Sequence, residues 1–237
     1  MSDYELSLRV VILHTRPYRE SSLIVDCFSE SHGRLSFLAK SIRSRSGQML
    51  RSALQMGSVL DVNLIGRSEL KTLKNADIIA TPHSFSGDLY AMSTYLSEIL
   101  LRLTQPYDAH PEIYPRIEHW YRVTSLEDKI LLLREIELVL IQELGVSISF
   151  THDIVGEPIQ HSSYYSLHDN EGFSRSESNG FLGEQLLNIA DGRWGSEQTR
   201  QTLKHVNRML LKPMLGERPL KSRELWQSWQ ARTRKKS

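Results

Sequence analysis

The chain has 237 residues, 40% of them hydrophobic, with 29 Lys and Arg against 28 Asp and Glu, which is enough apolar material for one large domain or two modest ones. No apolar run approaches the roughly 20 residues of a membrane span, and the start MSDYELSLRV lacks the cationic and apolar segments of a signal peptide. The single cysteine, Cys27, excludes an internal disulfide and a cysteine-built zinc cage, so the expectation is a cytoplasmic protein with no membrane partner.

The near-neutral total conceals a segregation. Residues 1–80 hold 11 basic against 8 acidic side chains, residues 81–197 hold 7 against 18, and residues 198–237 hold 11 against 2. Basic ends around an acidic middle either grip an anionic polymer or fold back on the middle and neutralise it; both readings stay open.

In chain order, Leu6–Leu13 (LSLRVVIL) reads as a strand, with Pro17 in the following loop expected to stop its pairing. Leu23–Phe28 and Leu35–Ala39 are predicted strands two and three, separated by a turn ending at Gly33. Gly47–Leu54 has helical composition, and Val59–Ile65 and Leu70–Ile79 form two further strands around Gly66-Arg67-Ser68. Three strands, a short helix and two strands is the order of an OB-fold, although a different small barrel stays open. From Pro82 the period becomes helical. Leu89 to Leu103, Ile113 to Tyr121 and Leu126 to Leu144 are three predicted helices, the last capped by Gly145. Residues 146–182 lose that period and read as an irregular insertion with one short hairpin. Helices are predicted again over Gly183–Ala190, from an N-cap at Ser196 to Pro213, and after an N-cap at Ser222 with Leu225, Trp226 and Trp229 on one face, followed by a disordered basic tail at 232–237. The fold class is thus α+β: an OB-fold β-barrel over residues 1–80, then a helical domain over 81–237 with an irregular insertion and a basic C-terminal segment.

The densest cationic stretch is Gly33–Gly57, with Arg34, Lys40, Arg43, Arg45 and Arg51 and no acid anywhere from Ser31 to Leu60. A barrel beneath it puts Lys40, Arg43 and Arg45 at an edge, where Arg16 and Arg19 from the first loop can join them. Such a set suits the phosphates of a nucleic acid, which confer affinity without sequence preference. Phe28 and Phe37 are expected in the barrel core, so Tyr18 is the candidate for stacking on a base. Residues Arg200–Glu224 mix cations with Leu, Val and Met at helical spacing; they read either as an ordinary amphipathic helix or as a groove for an acidic peptide with an apolar end. His152, Asp153, His161 and His168 fit no metal-ligand spacing, and no GxSxG, Walker or dinucleotide motif occurs. The expectation is a non-enzyme without metal or cofactor.

VILHTRPYRESSLIVDCFSESHGRLSFLAKSIRS, GRSELKTLKNADI and LLKPMLGERPLKSREL together resemble the RecO family of bacterial recombination mediators, a similarity spread over the whole chain. The resemblance implies an N-terminal OB-fold, a helical bundle and a role in DNA repair in which single- and double-stranded DNA is bound and complementary strands are annealed. It also implies engagement of the acidic, Phe-terminated tail of single-stranded-DNA-binding protein, action with RecR, indirect help to RecA, and association with the nucleoid. Arg34, Lys40, Arg43 and Arg45 match the family's basic loop. The family's tail site lies in the helical domain, where Arg134, Arg208, Lys212 and Lys221 are candidates for its rim and Leu210 and Met214 for its walls. Some members carry a four-cysteine zinc module where this chain has Val146–Phe181 without cysteine, so here packing alone must hold the insertion.

Overall fold

The computed structural model describes residues 4–40, 42, 48–82, 87–169 and 171–234, so the candidates Arg43 and Arg45 lie outside the described residues. The chain divides into two compact units, residues 1–126 with 217–237, and residues 127–216.

The first unit begins with a closed five-stranded barrel in the order β1-β2-β3-β5-β4, built from β1 (Glu5–Tyr18), β2 (Ser22–Ser29), β3 (Gly33–Ala39), β4 (Val59–Ile65) and β5 (Lys71–Ala80). The short helix α1 (Gln48–Ala53) lies between β3 and β4. Neighbouring strands are antiparallel except for the closure, where Phe37 and Leu38 pair in parallel with Lys71 and Thr72. Val10, Ile12, Val25, Cys27, Leu35, Phe37, Leu60, Val62 and Leu64 fill the interior, and Ile42, Ala53 and Leu54 close the end at which β3 finishes. Burial pushes the Cys27 thiol well above its ordinary range, as expected for an inert core residue.

Two expectations need correction here. Pro17 does not stop the first strand: β1 runs on to Tyr18, with Pro17 paired to Leu23 and Tyr18 to Ser22. The proline is tolerated because, among the described residues, β1 is flanked beyond Ile12 by β2 alone, and a strand edge does not need its missing N–H. The second correction is that Ser222 does not cap the last helix: that helix begins at Lys221, so Ser222 lies within its first turn.

The cap that replaces it comes from elsewhere in the unit. Helices α2 (Asp88–Leu103) and α3 (Ile113–Arg122) follow the barrel, and α7 (Lys221–Arg234) packs along α2. The Glu98 carboxylate on α2 accepts from the backbone amides of Lys221 at 2.9 Å and Ser222 at 2.8 Å, supplying the acceptors that the first turn of α7 lacks. One turn along, Arg102 donates to the carbonyls of Arg218 and Pro219. The GERPLKS stretch is therefore a docking joint. Helix α7 extends to Arg234, into the stretch expected to be disordered.

A second joint ties the barrel to the segment after α2. Gly33 has φ +58°, and a Cβ there would sit 1.7 Å from the Asp108 carbonyl oxygen. Beside it the Tyr107 amide donates to the Arg34 carbonyl at 2.9 Å, and Arg34 Nε donates to the Thr104 carbonyl at 3.1 Å.

The second unit holds α4 (Leu126–Glu143), the sheet β7-β6-β8 of Tyr164–His168, Gly172–Ser176 and Phe181–Leu182, then α5 (Gly183–Ala190) and α6 (Glu197–Leu215). Gly145 ends α4 at φ +89°, and Ser196 Oγ accepts from the Thr199 amide at the start of α6. The insertion is a three-stranded sheet rather than one hairpin in irregular chain. Phe150, Phe173 and Phe181 pack edge to face or tilted at its centre, with ring centroids 5.6 and 6.1 Å apart.

Gly33→Ala is expected to lower stability by at least about 2 kcal/mol, since it combines left-handed strain with a backbone clash; urea unfolding of the intact chain measures it. Glu98→Ala should cost about 1 kcal/mol, in the range of a lost cap. Burial opposes ionisation of Glu98, but the Ser222 and Lys221 amides and Arg102 outweigh it and hold its carboxyl below the usual value. A pKa lowered in the folded state adds stability that is full above the unfolded carboxylate pKa and lost as pH falls through the folded one. The gap between wild type and Glu98→Gln should accordingly be open at neutral pH and close on acidification.

Candidate nucleic-acid interface

The candidate surface is the outer face of β1, β2 and β3, and an irregularity in β1 creates it. Alternation along Leu8, Val10 and Ile12 would send His14, Arg16 and Tyr18 inward with them. Instead Ile12 pairs with Cys27 and His14 with Asp26, leaving Leu13 as one extra residue. This bulge reverses the parity, so that His14, Arg16 and Tyr18 share the outer face with Ile24, Asp26, Ser36 and Leu38. Leu13 itself is fully buried.

Asp26 is the centre of this face and is itself buried. Ser36 Oγ donates to its Oδ1 at 2.6 Å, His14 Nδ1 lies 3.6 Å from Oδ2, and an Arg16 terminal nitrogen lies 3.9 Å from the same oxygen. Burial alone would raise the pKa of this carboxyl, but the nearby His14 ring, the Ser36 hydrogen bond and the charge of Arg16 hold it below its ordinary value. An ionised acid so enclosed draws Arg16 to the face. Sequence reasoning missed Asp26 and His14, because their relevance depends on the bulge.

The eight DNA-contact candidates separate into three groups. Arg16, Tyr18, Arg19 and Lys40 gather at one end of the barrel: Arg16 and Tyr18 close β1, Lys40 follows β3, and the Ile42 amide ties that connection to the Ser21 carbonyl in the β1–β2 turn at 2.9 Å. Arg16, Arg19, Lys40 and Arg51 are exposed, Arg51 on the helix that closes this end. Arg19, at φ +50°, holds its guanidinium carbon 5.3 Å from the Tyr18 ring centroid, a cation–π contact that presents ring and charge together. Arg34 stands apart. It begins β3 about 20 Å from Lys40, is half-buried, and is engaged by Thr104; burial lowers its pKa. Arg43 and Arg45 form the third group, outside the described residues.

The candidates for a peptide site also divide. In the second unit, Arg134 donates to both oxygens of the buried Glu137 at 2.7 Å, and Asn207 donates to Glu137 Oε2 and to the Arg134 carbonyl. Arg134 thus belongs to an interior network. Leu210 is core rather than wall, with 1% of its surface exposed. Arg208 and Lys212 are exposed on α6, one turn apart and in line with exposed Lys204, and Met214 is half-buried beyond them. Lys221 lies in the other unit, where its backbone amide serves the Glu98 cap. Among the described residues no three His, Cys, Asp or Glu side chains come together as a metal site.

Comparison with known proteins assigns the family. Two family models match, "Recombination protein O N terminal" over residues 1–82 and "Recombination protein O C terminal" over residues 84–224. The chain is 36% identical over 230 residues to the DNA repair protein RecO of Glaesserella parasuis serovar 5, covering 93% of this chain and 94% of that one. The corresponding figures are 35% over 225 residues for the protein of the same name from Vibrio cholerae serotype O1, at 92% of each chain, and 34% over 227 residues for that of Serratia proteamaculans, at 93% of each. With both halves of its length matched, the chain belongs to the RecO family of DNA repair proteins.

Proposed function

We propose that this protein is a DNA-binding recombination mediator. It anneals complementary strands and, with RecR, helps load RecA onto single-stranded DNA covered by single-stranded-DNA-binding protein. The observation that carries the DNA contact is the clustering of Arg16, Arg19 and Lys40 with Tyr18 at one end of a closed five-stranded barrel, in a family named for DNA repair. Cations there attract the phosphates, and the Tyr18 ring beside Arg19 provides a stacking surface. Arg51 extends the same basic end, and Arg43 and Arg45 follow Lys40 closely in the sequence. Nothing in this reading calls for catalysis: the protein holds strands and hands them on.

The second reading is an adaptor that binds the acidic tail of single-stranded-DNA-binding protein and touches DNA only through partners. Its support is the cationic line Lys204, Arg208 and Lys212 on α6, flanked by the exposed Met209. Charged rims and a soft apolar patch suit an acidic peptide with an aromatic end. This moves the rim away from Arg134, whose charge Glu137 already takes up.

Arg16→Glu with Lys40→Glu is expected to weaken binding to single-stranded DNA at least about tenfold, with affinity falling steeply as salt rises in the wild type; fluorescence anisotropy at several salt concentrations reads both effects. Unchanged affinity in the double variant would remove the barrel end from the interface. For the peptide site, Arg208→Glu with Lys212→Glu should abolish binding of an acidic, Phe-ended peptide while leaving the unfolding midpoint within about 0.5 kcal/mol of wild type. Arg134→Glu should instead destabilise the second unit, because it leaves Glu137 buried beside a like charge.

A further inference from the structure

The end of the barrel opposite α1 is an open mouth. The start of β1, the β2–β3 turn, the β4–β5 turn and the segment after α2 enclose a cleft of about 780 Å³, lined by Tyr4, Leu6, His32, Arg67, Lys71 and Tyr107. Mouths of β-barrels are common ligand sites, and this volume falls within the usual range for them.

The wall of the cleft is built rigidly. Lys71 pairs with Phe37, whose side chain is in the core, so its own side chain shares the inward parity and is only 7% exposed. Its ammonium lies 5.2 Å from the Tyr4 ring centroid and 5.7 Å from that of Tyr107, and donates to the Ser68 carbonyl at 3.3 Å. Tyr107 is fixed at φ +61° by two hydrogen bonds, its amide to the Arg34 carbonyl and its hydroxyl to the Glu69 carbonyl at 2.5 Å. A strained tyrosine and a buried ammonium held at a cavity wall mark a preorganised site. Around this wall Tyr4 is 55% exposed and Arg67 is exposed at the rim. Among the described residues lining the cleft the acid is Glu5, and Lys74 takes it up, its Nζ 3.0 and 3.2 Å from the two carboxylate oxygens. Among the described lining residues the cations Arg67 and Lys71 remain, while burial, and after it the nearby carboxylate of Glu69, raise the pKa of Tyr107.

A half-exposed aromatic ring beside rim cations suits a ligand that joins a planar ring to an anion. The location narrows it further. His32 sits in the β2–β3 turn at the mouth end of β3, and β3 spans about 20 Å between Arg34 and Lys40. Barrels of this kind take from about 4 nucleotides upward, so a strand held at Arg16 and Lys40 is long enough to reach the mouth. The geometry points to the barrel mouth as a subsite for one unpaired nucleotide, its base against Tyr4 and its phosphate toward Arg67 and His32. This rests on the reading of the barrel as a DNA-binding surface.

The test uses the intact chain, a fluorescent oligo(dT) and an abasic strand of the same length. Tyr4→Ala should weaken oligo(dT) binding about tenfold and Tyr4→Trp should preserve it, since base stacking and not the hydroxyl is at stake. The Tyr4→Ala loss should vanish on the abasic strand, and Arg67→Ala should lower the salt slope by about one. If Tyr4→Ala and Arg67→Ala bind oligo(dT) as wild type does while Arg16→Glu with Lys40→Glu fails, the mouth subsite is overturned and the DNA reading stands. No binding by the wild type overturns both. Loss of an acidic peptide rather than of oligo(dT) in Tyr4→Ala would make the mouth a peptide site and equally overturn the inference.

Discussion

One unpaired residue, Leu13, decides which side of the barrel wall the chemistry occupies. Side chains on a strand alternate without exception unless a residue is inserted, and β1 must bury Leu8, Val10 and Ile12 while exposing His14, Arg16 and Tyr18. All six have the same parity. A regular strand would force either three apolar groups into water or an arginine and a histidine into the core, each unfavourable by several kcal/mol. The bulge resolves the conflict, and Leu13 is itself buried. Every feature of the outer face, from the Asp26 cluster to the Tyr18–Arg19 pair, depends on that reversal.

Charge is distributed by the same economy. An enclosed carboxylate such as Asp26 looks out of place on a surface proposed to meet phosphates, yet it is covered by Ser36, His14 and Arg16, and it holds one of the cations on that face. In the second unit the opposite occurs: Glu137 absorbs Arg134 into the interior, which leaves the exposed face of α6 to carry the positive charge. Counting cations along a sequence cannot make this distinction, since an arginine satisfied by a buried acid and an arginine facing water are written with the same letter.

Much of the architecture was legible. The five strands, the short helix and the change to helical period near Pro82 follow from alternation and spacing, and Gly145 and Ser196 mark helix ends because a left-handed cap and a hydroxyl cap have local chemical causes. What escaped the sequence is non-local. The extension of β1 through Pro17 depends on which edge of the strand is vacant, and the cap on α7 is Glu98, more than a hundred residues away, rather than the nearby Ser222. The sheet within residues 146–182 was obscured because its strands are short and rich in serine. The basic end of the barrel was visible as composition, whereas the cleft between Tyr4, Arg67 and Lys71 assembles from three separate stretches of chain with no shared motif.

The joint between α2 and α7 has a temporal meaning as well as a mechanical one. Residues 217–237 belong to the same compact unit as residues 1–126, and the whole of 127–216 is threaded between them. During synthesis residues 1–126 thus precede the inserted unit, and the helix that Glu98 caps is added only after residue 216 has been made. Until then α2 is left with an uncovered flank, and the Glu98 carboxylate has Arg102 beside it but not the two amides it caps. A change confined to residues 217–234 would therefore be felt in the unit that contains the barrel rather than in the unit that precedes those residues in the chain.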